Sequence, residues 1–392
     1  MTPMSAHAGT LAGNAPLLAG GPFHALLRTA HLLGPDGLPR PRAAVGLGLC
    51  AWLAGAALAL LEAWTGTRSS ALAFFVDPSP YAHALVALPV LLGIESTANR
   101  RLSTLLDAPQ RAGLLDAAGA AGYRAAFERA RRRAASPARE LLLALGAAAL
   151  VAYFALLPGA PLDGWSWQPG PDGARLTAAG FWMHAIVGGA VVFLVFRWLH
   201  RFLVWSLLLA TLARLPLALV PTHPDRAGGL GVLTLYPSVF SGLILAVGAT
   251  IGAELVAGAV RDTTTLNDIV VAMLAWTLGV LVVFLGPLLP FAVPLKRLRE
   301  TALEELGPSS TVANRRFLAA LRDSETGGPE PNAEQMESLN ANYERVVAIQ
   351  PMPVTRRELV ELLIVAALPL APALLTFLTP AKLIELVVGS LR

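Results

Sequence analysis

Apolar positions along this chain gather into long runs instead of alternating with polar ones. Seven runs approach the roughly 20 residues that a helix needs to cross about 30 Å of hydrocarbon. They cover 43–64, 81–97, 140–157, 179–197, 231–260, 268–295 and 358–379. The pattern predicts an all-α, polytopic transmembrane bundle of about seven spans. The second and third runs are short, with Pro89 inside one and Pro158 ending the other, which suits little tilt or longer neighbours. The first run lies too far into the chain, and is too long, to read as a cleaved signal peptide. In the last, Pro369, Pro372 and Pro380 interrupt the apolar pattern. One span with an amphipathic tail at 381–391 fits this better than a re-entrant hairpin broken at 368–372.

The polar stretches divide the chain into an N-terminal segment (1–42), two spans (43–97), a basic helical insertion (98–139), four spans (140–295), a second helical insertion (296–357) and a closing span (358–392). The first insertion carries the run Arg131-Arg132-Arg133, whose plainer role is to set the topology and whose sharper one is to lie along or just under an anionic leaflet. In the second, leucines at 295, 298, 303 and 306 with alternating charge predict a helix leaving the sixth span, stopped by Gly307-Pro308. A further helix is expected over 333–349, in a module that caps one face or docks a partner.

Composition removes the soluble classes. Of the chain, 55% is hydrophobic and 14% charged, against about a quarter charged in soluble proteins. The single cysteine, Cys50, allows neither an intrachain disulfide nor a Cys-based zinc or iron–sulfur centre. Lys and Arg then orient the bundle. Of the 30 basic residues, 25 fall in 1–42, 98–139, 197–229 and 295–357, all on one side of a seven-span topology. Cytoplasmic loops retain such residues, so the expected placement is a bacterial inner membrane with the N-terminus inside. Trp165, Trp167 and Trp182 on the opposite side, with Trp64, are expected to form an interfacial aromatic belt.

Candidate chemistry centres on Pro221-Thr222-His223-Pro224-Asp225-Arg226-Ala227-Gly228-Gly229-Leu230-Gly231 at the entrance of the fifth span. The prolines end the preceding helix. Backbone N–H groups of Gly228, Gly229 and Gly231 at a helix N-terminus, together with Arg226, would make an anion-binding corner. His223 and Asp225 would handle protons or a cation there. The plainer reading of the same string is a turn capped by Asp225.

Ionisable groups inside spans are costly and become functional suspects. Glu254, about two-thirds along the fifth span, is the pathway candidate. The stripe Gly242, Gly248, Gly252 and Gly258 around it serves close helix packing, or else lines a cavity. Glu62 and Glu95 sit near span ends, where charge is cheap, and Arg197, His200 and Arg201 are expected to snorkel to the interface. No Walker loop, HExxH, GxSxG or dinucleotide-binding glycine pattern occurs, and the reading calls for no metal, cofactor or nucleic acid.

Three strings carry a resemblance: 222–231 (Thr-His-Pro-Asp-Arg-Ala-Gly-Gly-Leu-Gly), Asn342-Tyr343-Glu344-Arg345-Val346-Val347 with Pro351-Met352-Pro353, and Leu368-Pro369-Leu370-Ala371-Pro372. Over roughly its second half the chain resembles a family of uncharacterised bacterial multi-pass membrane proteins. The resemblance implies a multi-span fold and brings no activity with it.

The functional expectation is a channel or transporter for a small ion or anionic solute, with self-association through small-residue faces. The alternatives are an enzyme or binding module for phospholipid or lipid-linked phosphate at an anionic inner leaflet, and a scaffold for a protein partner.

Overall fold

Hydrocarbon offers no partner to a free amide or carbonyl, so an apolar segment must satisfy its backbone within itself, and helix is how a single segment does so. The computed structural model describes residues 17–65, 71–156, 165–170, 173–324 and 333–377. Among them, seven helices are long and apolar enough to cross a membrane: Pro41–Trp64, Ser79–Arg111, Pro137–Leu156, Ala178–Leu212, Gly231–Val260, Leu266–Arg322 and Arg356–Leu375. The chain is a helical multi-pass membrane protein. The described strands, Trp167–Gly170 and Gly173–Leu176, form one antiparallel hairpin before the fourth span, with Trp167 opposite Leu176.

Several spans run past the limits of their apolar cores. The second continues to Arg111 and the fourth to Leu212, which gives the first insertion something to pack on. Its helix, Ala117–Ala134, buries Tyr123, Ala126, Phe127 and Ala130. The Phe127 ring lies 6.0 Å from Trp205 of the fourth span, and the Tyr123 hydroxyl donates to the Leu106 carbonyl at 3.0 Å. The insertion helix thus docks on the second and fourth spans, because the fourth span outlasts Arg197 by four turns. The second insertion differs too. Helix Ala292–Ser324 runs through Pro308, whose missing N–H costs one bond and not the helix, and Ala333–Val347 returns along it.

The spans contain breaks. Ala82–Ala87 is π-helical directly before Pro89. In a regular helix the proline ring would press on the carbonyl four residues back, and the wider turn, with the Leu88 N–H reaching the His83 carbonyl, relieves it. In the seventh span, Leu368–Leu370 tightens to a 3₁₀ turn before Ala371–Leu375 continues along the fifth. The tail at 381–391 lies outside the described residues.

The second and fifth spans form the centre, with 50% and 44% of their apolar windows buried, against 11% for the third and 17% for the sixth. The small residues of the fifth make this possible. Gly248 lies against the Pro369 ring and the Trp276 indole, while Gly252 faces the Pro369 carbonyl so closely that a Cβ would not fit. Trp276 donates to the Ala366 carbonyl at 3.1 Å. These two glycines pack on the seventh span, while Gly242 meets Ile94 of the second and Gly258 meets Thr264 in the following turn, so the glycines of the stripe serve packing.

Gly252→Leu should therefore lower the thermal midpoint in detergent by several degrees, since overpacking costs about 1–3 kcal/mol. Gly279→Leu, on the sixth span with nothing within 4 Å of its added Cβ, should leave the midpoint unchanged or raise it.

Candidate functional site

Charged side chains meet in the half of the bundle that carries the basic insertions. Arg197 and Arg201, one turn apart on the fourth span, are only 5% and 3% exposed in their side chains. Arg197 Nη1 donates to Glu95 Oε1 at 2.6 Å and its Nε to Glu140 Oε1 at 2.8 Å. Arg201 Nη1 reaches the same Glu95 oxygen at 2.8 Å, and its Nη2 donates to the Leu18 carbonyl. Two cations and two carboxylates make the cluster neutral, which is what a low-dielectric setting requires.

The N-terminal segment closes it. The Phe23 N–H donates to Glu140 Oε2 at 3.0 Å, and Asn99 Oδ1 accepts from the N–H groups of Leu17 and Leu18. The Phe23 ring covers the Arg197 guanidinium at 5.1 Å. The chain reaches this position through Gly20 and Gly21, at φ 121° and 86°, values open mainly to glycine. Two expectations are corrected here: Glu95 is wholly buried and not a cheap span-end charge, and Arg197 and Arg201 are ion-paired and do not snorkel. The second span runs on past Glu95 and residues 17–29 fold over it, so the apparent end is interior.

His24 sits beside this cluster with its Nδ1 buried and lacking a hydrogen-bond partner among the described residues. Desolvation lowers its pKa, and Arg197, Arg201 and Arg28 push the same way against Glu95.

The 221–231 loop is folded around its own carboxylate. Asp225 Oδ1 accepts from the N–H groups of Ala227 and Gly229 at 2.9 and 3.2 Å, and Oδ2 from that of Gly231 at 2.7 Å. His223 Nδ1 lies 2.8 Å from Asp225 Oδ1. The donors of Gly229 and Gly231 that the sequence offers to an incoming anion are bound internally. Gly228 instead packs on Leu298 and Leu219. Arg226, at φ 55°, presents its carbonyl to the Gln350 N–H at 3.1 Å, which staples the loop to the second insertion. Burial opposes ionisation of Asp225, but the N–H donors of Ala227, Gly231 and Gly229, with His223, outweigh it and hold its pKa below the ordinary value.

Glu254 stands at the opposite end, exposed on the monomer surface, with Ser79 Oγ donating to it at 2.9 Å. Asp77 lies next to it in the chain path, taking the Ser79 N–H at 2.8 Å, the Trp165 indole N–H at 2.9 Å and Arg261 at 3.9 Å. Trp165 is buried and stacked on His184, so it is a packing residue and not part of a belt. Trp64, by contrast, is 85% exposed.

One feature was not legible in sequence. A cleft of about 540 Å³ opens at the basic end between the second, fifth and seventh spans. Its polar lining comprises Arg101, Thr234, Ser238, Ser241, Arg357, Glu358 and Glu361. Arg101 Nη1 donates to the Ser238 carbonyl at 2.7 Å, and Arg357 pairs with Glu361 at 2.8 Å. Glu358 Oε2 is buried with no hydrogen-bond partner among the described residues. Along their helices, the lining residues Ser241 and Val365 precede Gly248 and Pro369 by about two turns and one turn.

No family model, curated protein or solved structure matches the chain.

Two outcomes follow from this geometry. Arg201→Ala leaves Glu95 under-compensated and should cost about 3–5 kcal/mol. The double variant Arg201→Leu with Glu95→Gln, which keeps the cluster neutral, should unfold at a higher denaturant concentration than Arg201→Ala. For the loop, a depressed Asp225 pKa means that its stabilisation is complete above the ordinary carboxylate pKa and is lost as pH falls through the lower folded value. Amide exchange at 227–231 should thus stay slow at pH 5 and quicken only in stronger acid, while Asp225→Ala should exchange fast throughout.

Proposed function

We propose that this protein is a carrier for a small polar solute, reached from the cytoplasm through the cleft between the second, fifth and seventh spans. The observation that carries the reading is the cleft's position beneath a helix break. Its lining ends just below the place where Pro369 interrupts the seventh span and presses its carbonyl on Gly252. Solute sites at discontinuous helices are a recurrent transporter arrangement, because freed backbone groups and helix ends there can bind and the break can flex.

The lining also bears on the solute. Arg101 and Arg357 are balanced by Glu358 and Glu361, with Ser238 and Ser241 between them. A balanced site suits a zwitterionic or neutral polar solute better than a bare anion. The unpartnered Glu358 oxygen offers an acceptor to a solute amine or hydroxyl. Glu254, hydrogen-bonded to Ser79 beyond the Pro369 contact, is the group a solute would meet on leaving toward the far side. The inner-membrane location, with the N-terminus inside, rests on the placement of 25 of the 30 basic residues at one end.

The test is uptake into liposomes of purified protein, using a panel of radiolabelled amino acids, amines and small organic anions. Saturable uptake with counterflow is expected. Glu358→Gln should lower it at least tenfold, and Ser241→Trp, which fills the cleft, should abolish it while the protein stays folded. Single-channel currents in place of saturable uptake would mark a pore, and full uptake by Ser241→Trp would sink the cleft as the route.

A further inference from the structure

The basic end carries a second hollow, a groove of about 920 Å³ between residues 213–219 and the outgoing sixth helix at 290–301. Its floor is apolar, built from Leu217, Leu219, Pro290 and Val293, and two guanidinium groups, Arg214 and Arg297, stand at its rim with Thr301. Both arginines are exposed. Neither is paired with a carboxylate among the described residues. This distinguishes the groove from the cleft, where the charges balance.

Depth says what can reach it. The sixth span starts at Leu266 behind a capping box of Thr265 and Asp268. From Asp268 to Pro290 the helix rises about 33 Å at 1.5 Å per residue, slightly more than the roughly 30 Å of hydrocarbon. Pro290 to Arg297 therefore lies in the headgroup layer, and Leu289 and Val293, 56% and 55% exposed, face outward at its edge.

We infer that this groove binds an anionic phospholipid. The glycerol and upper acyl carbons cover Pro290, Val293 and Leu217. The phosphate sits between Arg214 and Arg297, which supply charge-assisted donors, and the Thr301 hydroxyl is placed to donate to a headgroup oxygen. A free anion has no use for the apolar floor, and a zwitterionic lipid leaves one net positive pair uncompensated. The site is separate from the solute cleft, so it stands or falls independently of the carrier reading.

The experiment uses the full-length protein in detergent with a photoactivatable phosphatidylglycerol, the phosphatidylcholine analogue as comparison, and inorganic phosphate as competitor. Cross-linked peptides should map to 213–219 and 290–301 for phosphatidylglycerol. Arg214→Gln with Arg297→Gln should weaken its binding roughly 30-fold, about five-fold per guanidinium, with the thermal midpoint unchanged. Arg315→Gln with Arg316→Gln, on the second insertion, should bind like wild type. Equal labelling by phosphatidylcholine, displacement by inorganic phosphate at comparable concentration, or cross-links elsewhere on the chain would each overturn the inference. Absence of any lipid labelling would do the same and point to an acidic protein segment as the occupant. The wild-type cross-link map needs no variant, so a misfolded double mutant does not leave the question open.

Discussion

A charge taken out of water must be neutralised where it sits, and this protein places four of them within hydrogen-bond reach of each other. Glu95, Glu140, Arg197 and Arg201 come from the second, third and fourth spans. Hydrophobic packing cannot select one arrangement of these helices, since lipid is as apolar as their side chains. Ion pairs can, because a helix displaced by one turn would strand a carboxylate or a guanidinium. The cluster thereby fixes the register of three spans. By engaging the Leu18 carbonyl and the Phe23 amide, it also determines where the N-terminal segment must lie.

The other half of the bundle is held by a different force. The fifth span meets the seventh through backbone-close contacts at Gly248 and Gly252, which depend on dispersion at short range and carry no charge. Such contacts are steep in distance yet separable without exposing an ion. The 3₁₀ turn at Leu368–Leu370 lies at this seam, whereas the fourth span runs as continuous helix through Arg197 and Arg201. The cleft opens between the second span and this seam.

The hydrophobic pattern made the spans legible, because burying apolar side chains in lipid is a local property of each segment. The fifth span's limits at Gly231 and Val260 follow directly from it. What escaped was long-range pairing. Glu95 read as a span end since Arg100 and Arg101 follow within two turns, and only the N-terminal segment folding back makes it interior. A signal was present at Arg201: the apolar run Phe202–Leu212 continues for three turns beyond it, which a snorkelling arginine at a membrane edge would not need. The 221–231 loop shows the opposite failure. Its glycines and Asp225 were visible, but whether the N–H groups face outward or bind Asp225 depends on backbone torsions, including φ 55° at Arg226, that composition does not encode. The cleft left no trace, as its residues come from three spans and each looks ordinary on its own helix.

The loop's internal closure alters what the most distinctive string in the sequence is for. Once Asp225 has taken three N–H donors, the loop has little left to offer an anion, but it becomes a stiff bracket between the fourth and fifth spans. Through the Arg226 carbonyl and Gln350 amide it grips the segment just before the seventh span, and through Gly228 it presses on Leu298 of the sixth helix. The seventh span begins only six residues after Gln350. Any tilt of that span about its break at Pro369 must therefore pull on this bracket. A rigid loop there transmits the motion to the second insertion, where a flexible one would absorb it.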